Sequence, residues 1–166
     1  MTGRALRLSV FGVVQGVGFR PFIYRLAAER GLRGWVKNAG RGVEIHVESR
    51  DGSGLRDFAA AMSRRLPPLA RIESLDSRPA PFRGYREFTV RRSRGGERFV
   101  FISPDIATCP ACLRDIRDPE DRRFRYPFTN CTDCGPRYTI VRSLPYDRPR
   151  TTMAGFPMCP ECSAEY

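Results

Sequence analysis

The chain has 166 residues, of which 41% are hydrophobic, and this suits one domain or one small domain with an appendage. The composition excludes a disordered chain, and no apolar stretch approaches the roughly 18 residues of a membrane span. The formal net charge is +11. The first residues lack the apolar run of a signal peptide, so we expect a cytoplasmic protein, a compartment in which disulfides are rare.

The positive charge is unevenly distributed and has two interpretations. Residues 1–92 hold 18 basic and 8 acidic residues and so carry +10, whereas the remainder carries +1. All the basic residues except Lys37 are arginines, a bias that a GC-rich genome produces by itself. An anionic ligand or a nucleic acid would use the same residues. Charge alone leaves both interpretations open.

Residues 1–92 show strand and helix patterns in the order β-α-β-β-α-β, with a candidate fifth strand after them. Apolar residues at helical spacing predict a helix that begins near Pro21 and stops at Gly31, and a second helix capped by Ser53. The order predicts an α+β fold, a ferredoxin-like split βαβ sandwich with two helices on one face of an antiparallel sheet. The predicted strands cover residues 5–14, 33–38, 43–49, 71–77 and 85–92.

Alternation along the third predicted strand separates its two faces. Val43, Ile45 and Val47 point inward, while His46 points outward between two glutamates. His46 is the only histidine of the chain, and histidine titrates near physiological pH. Because of its position on the outer face, we expect a solvated residue with no catalytic role.

The turn at residues 15–20 lies between the first strand and the first helix. Gly16 and Gly18 permit backbone conformations that other residues resist, and successive amides in such a turn converge on an anion. Arg20 stands at the helix N-terminus, where it can donate two hydrogen bonds to a phosphate or carboxylate. Taken alone, the pattern fits equally a tight β–α turn with an exposed arginine.

Two stretches of sequence resemble the signatures of the acylphosphatase family: FGVVQGVGFR at residues 11–20, and GWVKN at residues 34–38 followed by Gly42. The resemblance covers about residues 5–92. It implies that the Asn38 carboxamide positions the attacking water, although asparagine is also common where a strand enters a turn. It also implies that the phosphoryl group is held by Arg20 and by the backbone amides of Gln15, Gly16, Val17, Gly18, Phe19 and Arg20.

Six cysteines form three CxxC pairs in the second half of the chain. The spacing C-x2-C-x18-C-x2-C of the first two pairs is typical of a zinc site, and four thiolates make it closed and structural. Cys159 and Cys162 repeat the CPxC pattern of the first pair and predict an incomplete second site. A free pair or a redox CxxC are the alternatives. The predicted zinc ligands are Cys109, Cys112, Cys131 and Cys134.

Residues 109–138 resemble the zinc finger of the HypF family of hydrogenase maturation proteins, through CPAC, RRFRYPFTNC and CGPRY. That family continues into nucleotide-binding and carbamoyl-transfer domains, so we expect a fragment of a longer chain. The resemblance implies hydrolysis of carbamoyl phosphate or another acyl phosphate here and, in the full-length context, ATP and the partner HypE. The predicted parts are an acylphosphatase-like domain at 1–92, a linker at 93–108, a four-cysteine zinc finger at 109–140, and a linker with an incomplete second finger at 141–166.

Two other functions fit parts of the sequence. A free-standing acylphosphatase with a zinc appendage would share the first domain, but the incomplete second finger argues against it. A zinc-finger module that binds nucleic acid would use the cations and aromatics interleaved between Arg122 and Phe128. We do not expect a nucleic-acid partner, because the finger half nets only +1, nor do we expect a membrane partner.

Overall fold

The computed structural model describes residues 3–40, 42–91, 107–131, 134–135, 138–143 and 148–165. Short 3-10 helices follow the finger. Most of the predicted linker lies outside the described residues, including residues 98–102, RFVFI, whose composition also predicts a short strand. No helix in the described part is long and apolar enough to cross a membrane. The strands and α-helices are β1 (Arg4–Val13), α1 (Phe19–Glu29), β2 (Arg33–Ala39), β3 (Gly42–Ser49), α2 (Leu55–Arg64), β4 (Arg71–Ala80), β5 (Phe88–Val90), α3 (Pro110–Arg117) and α4 (Pro160–Glu165).

The five strands form one mixed sheet in the order β4-β1-β3-β2-β5. The pairs β4-β1, β1-β3 and β3-β2 are antiparallel, whereas β5 pairs in parallel with β2, so the sheet is not wholly antiparallel as predicted. The predicted split βαβ sandwich is therefore confirmed, and the strands predicted at 71–77 and 85–92 are β4 and β5. In β1 the register shifts between Phe11 and Gly12, where a methyl group on Gly12 would collide with the backbone of β4.

One apolar core lies between the sheet and the helices α1 and α2. The inward residues of β3, Val43, Ile45 and Val47, are at most 1% exposed, as the alternation predicted. Gly31 ends α1 in the left-handed conformation, with φ at 61°. The cap of α2 was predicted wrongly. Gly54 occupies it, while the Ser53 hydroxyl donates to Asp51 Oδ1 at 2.7 Å.

The outer face of the sheet is also buried where β2 meets β3, which corrects the expectation of a solvated His46. His46 is 3% exposed, stacks on Trp35 at 6.0 Å and meets the Tyr85 ring edge-on at 5.5 Å. Its Nε2 lies 2.8 Å from Oε1 of Glu48, which is 1% exposed. The segment before β5 covers this face, because Glu48 accepts hydrogen bonds from the backbone amides of residues 83–85.

Candidate functional site

The turn at residues 15–20 joins β1 to the N-terminus of α1. Gly16 and Gly18 both have φ at 72°, a conformation that a side chain would strain. Gly18 is the N-cap of α1. The Phe22 amide donates the first intrahelical hydrogen bond to the Gly18 carbonyl at 3.1 Å. The first helical turn carries no acidic side chain. Its N–H groups and the helix dipole therefore favour an anion here, with half-buried Arg20 on the same turn.

The Gln15 side chain ties this turn to the loop between β2 and β3. Its Nε2 donates to the carbonyl oxygens of Gly42 at 2.7 Å and Gly40 at 3.2 Å. Gln15 is 6% exposed, so these bonds are largely shielded from water. No sequence signal could have revealed this role, because the acceptors lie more than twenty residues away. The tie brings the predicted anion site beside the end of β2, where Asn38 stands.

The Asn38 side chain has the environment expected of a group that binds a ligand. It pairs in register with Val43 and shares the core-side face of β2 with Val36. It is 2% exposed, yet neither Nδ2 nor Oδ1 of its carboxamide has a hydrogen-bond partner among the described residues. A strand-end asparagine that shaped its own turn would bond the turn backbone. A buried amide without such bonds needs another explanation, and a bound water or substrate supplies one.

Four cysteines from two CxxC pairs converge in the second half of the chain. The Sγ atoms of Cys109 and Cys131 are 3.6 Å apart, those of Cys112 and Cys134 3.7 Å, and those of Cys131 and Cys134 3.8 Å. A disulfide needs a separation of about 2.05 Å. A tetrahedron with Zn–S bonds of about 2.3 Å has edges of about 3.8 Å. The cluster therefore fits a closed tetrahedral metal site, as the spacing predicted.

The surroundings of the Cys112 thiol affect its protonation. Burial, followed by hydrogen bonds with the three neighbouring thiols, raises the pKa of Cys112 far above its ordinary value. A bound divalent cation reverses that preference, since it binds thiolates and releases their protons. Cys112 and Cys134 are fully or almost fully buried, which shields such bonds from solvent.

The third CxxC pair repeats the local structure of the first. Cys109 and Cys159 each precede a helix that begins with proline, and each carbonyl accepts a bond of 2.9 Å from the amide four residues on. Cys159 is exposed, with its Sγ 3.6 Å from Nη1 of Arg122. The Cys162 side chain lies outside the described part, so an incomplete second site remains a prediction.

Two family models match the chain in succession. Residues 6–90 match the family described as Acylphosphatase, and residues 108–141 match the HypF finger. The chain belongs to the acylphosphatase family. Its first half is thus an acylphosphatase domain, and the cysteine cluster lies in a HypF-type finger.

Proteins of similar sequence match both halves of the chain. Carbamoyltransferases named HypF from Synechocystis sp. and Rhodobacter capsulatus are 49% and 51% identical over 92% and 98% of the chain, which spans only 20% and 22% of their length. An acylphosphatase of Thermotoga maritima is 38% identical over 89 residues, 97% of that protein and 53% of the chain. A crystal structure of full-length HypF in a phosphate- and nucleotide-bound form matches 99% of the chain and 22% of its own, with a TM-score of 0.88 and 42% identity.

Proposed function

We propose that the acylphosphatase domain binds an acyl phosphate, carbamoyl phosphate foremost, and catalyses its hydrolysis. The observation that carries this proposal is the buried Asn38 carboxamide, which has no hydrogen-bond partner among the described residues. It lies on the side of the sheet that α1 covers, and the Gln15 side chain ties its loop to the anion-binding turn. A phosphate-binding turn and a water-positioning amide are what this reaction requires.

The turn at 15–20 would hold the phosphoryl group. Its amides and the first turn of α1 direct N–H groups and a positive potential at one anion. The Arg20 guanidinium adds a planar donor that can bind two phosphate oxygens and stays charged at any physiological pH. These groups would stabilise the charge on the phosphoryl oxygens as the transition state forms.

The Asn38 carboxamide would orient the attacking water. The water oxygen attacks phosphorus, the bond from phosphorus to the acyl oxygen breaks, and inorganic phosphate and a carboxylate or carbamate leave. Because this leaving group is already a stable anion, no general acid is needed, and positioning with charge stabilisation supplies the catalysis. Asparagine does not titrate, so its role would hold across the pH range.

The four-cysteine cluster would hold one structural Zn²⁺. Cys109, Cys112, Cys131 and Cys134 fill all four positions, so no position is left for water or substrate. The similarity to HypF carbamoyltransferases supports a wider role for the chain in nickel–iron hydrogenase maturation. In that role the acylphosphatase domain would supply carbamate to further domains that use ATP and deliver a carbamoyl group to HypE.

Phosphate release from carbamoyl phosphate and benzoyl phosphate tests the site. We expect Arg20→Ala to lower kcat/KM about 100-fold or more, with a higher KM. Asn38→Ala should lower kcat by a similar factor and leave KM nearly unchanged, because Asn38 acts on the water. Arg25→Ala is the matched control, since Arg25 is an exposed arginine one turn further along α1 and should retain wild-type kinetics.

Stability separates a catalytic Asn38 from a structural one. Removal of a buried polar group without partners does not destabilise a fold in the way that removal of a bonded one does. Asn38→Ala should therefore unfold at or above the wild-type temperature while it loses activity. A variant that is both inactive and clearly destabilised would contradict the proposed role, as would full activity in both site variants.

A further inference from the structure

The finger touches the anion-binding turn at one backbone position. Gly135, which follows the last cysteine of the cluster, has φ at 67° and is buried. A methyl group there would collide with the carbonyl oxygen of Gly16 and lie 2.7 Å from its carbonyl carbon. Glycine is thus needed at 135 for its φ and for the close approach of the two backbones.

The position of Gly135 follows from the cysteine cluster. Its amide donates to the carbonyl of Cys131 at 2.9 Å, and its neighbour Cys134 is 2% exposed. The Cys134 Sγ lies within 3.7 and 3.8 Å of the Cys112 and Cys131 sulfurs. A metal that fixes these sulfurs therefore also fixes the backbone that meets the turn.

Gly135 contacts the carbonyl side of the Gly16–Val17 peptide, and the N–H side of this peptide points away from Gly135. In a trans peptide the C=O of Gly16 and the N–H of Val17 point in opposite directions. Gly135 meets that carbonyl oxygen, so the Val17 N–H is directed away from the finger. The Val17 side chain is 0% exposed within the core, which holds the peptide from its other end. Finger and core together leave this peptide little freedom to rotate.

We propose that the finger positions the phosphate-binding turn, so that metal loading of the four-cysteine cluster raises the affinity of the acylphosphatase site for its phosphoryl ligand. The proposal rests on the function proposed above for the turn, and Gly135 is its positioning residue. Without the metal, the Gly16–Val17 peptide loses one of its two supports, and the turn must lose more entropy to form the cradle when the anion binds. The coupling is reciprocal, so phosphate should tighten metal binding by the same factor.

Nuclear magnetic resonance and calorimetry on the whole chain test the proposal with inorganic phosphate as the probe. We expect chelation of the metal to shift the amide resonances of Gly16 and Val17 and to raise the phosphate Kd about fivefold or more. Gly135→Ala should do the same while its metal content stays at the wild-type value. The matched control is Gly31→Ala, because Gly31 has φ at 61° but no atom within 4 Å of an added methyl group.

The outcomes distinguish this inference from the proposed function. If Gly135→Ala, Gly31→Ala and the metal-free chain all bind phosphate as the wild type does, the coupling is wrong and the site stands. If the wild type binds no phosphate at all, the proposed function fails, and the coupling fails with it. A weaker affinity shared by Gly31→Ala would attribute the loss to strain at a left-handed residue and would also overturn the positioning role.

Discussion

The acylphosphatase domain and the finger are stabilised by different means. The buried cluster of the first contains twenty apolar residues between Leu8 and Phe88. From residue 107 onward, the described part buries only Cys112 and Cys134 among its hydrophobic residues, while the aromatic rings of Phe124, Tyr126, Phe128 and Phe156 remain exposed. Apolar burial thus organises the first region, and four thiols organise the second, although both are rich in large side chains.

Metal removal should produce the largest effect on stability, and the unfolding that it causes should stay in the finger. Structural zinc contributes about 10 kcal/mol or more to such sites, so chelation or Cys112→Ser should unfold the finger. Hydrogen exchange would then show loss of protection in α3, with the amides of β1 and β3 still protected. Cys159→Ser is the control, because its thiol is exposed and lies outside the cluster. Cooperative loss of both regions would mean that they share one core.

A cavity in the apolar core should produce the next largest effect. Phe58 in α2 is 0% exposed, and its replacement by alanine should lower the free energy of unfolding of the sheet domain by about 3–5 kcal/mol. The metal content under native conditions should not change. Phe156→Ala removes a ring of the same kind that is 62% exposed, so urea denaturation should show little change for it. Equal losses of stability in the two variants would contradict the conclusion that apolar burial organises the first region and not the second.

The sequence predicted what depends on short-range pattern. Alternation identified the inward face of β3, and ligand spacing identified the four thiols of the cluster. It failed to predict the burial of His46, because the segment before β5 covers that face through its backbone bonds to Glu48 and through the Tyr85 ring. A period of two assigns a residue to a face of a sheet, but it does not tell whether that face is covered.

The candidate site likewise contains residues that the sequence predicted and residues that it did not. Arg20 and Asn38 stand in motifs that the sequence displays, and the roles that the family resemblance implies for them remain predictions. Two further groups of the site could not be identified from the sequence. The Gln15 side chain bonds backbone more than twenty residues away, and Gly135 meets a turn that lies in the other half of the chain. Both depend on tertiary packing, which no local pattern reports.

The polar cluster on the outer face of the sheet allows a finer test of the first region. Burial would raise the pKa of Glu48, but hydrogen bonds from His46 and from the amides of Arg83 and Tyr85 outweigh it and hold the pKa below its ordinary value of 4.5. A carboxyl with a depressed pKa stabilises the fold above its unfolded-state pKa. That stability is lost as the pH falls through the lower folded-state value.

Glu48→Gln should therefore have the smallest of these effects on stability, and its effect should depend on pH. We expect a loss of about 1–3 kcal/mol at pH 7, because a neutral amide accepts the backbone hydrogen bonds less strongly and cannot serve all of them. The difference from wild type should shrink as the pH falls below about 4.5, where the unfolded-state carboxyl is protonated. Urea denaturation of both proteins from pH 7 to acid measures it, with Glu44→Gln as the control, because Glu44 lies on the same face of β3 but is half-exposed. A difference that stays constant with pH would show that shape, and not charge, is what Glu48 contributes.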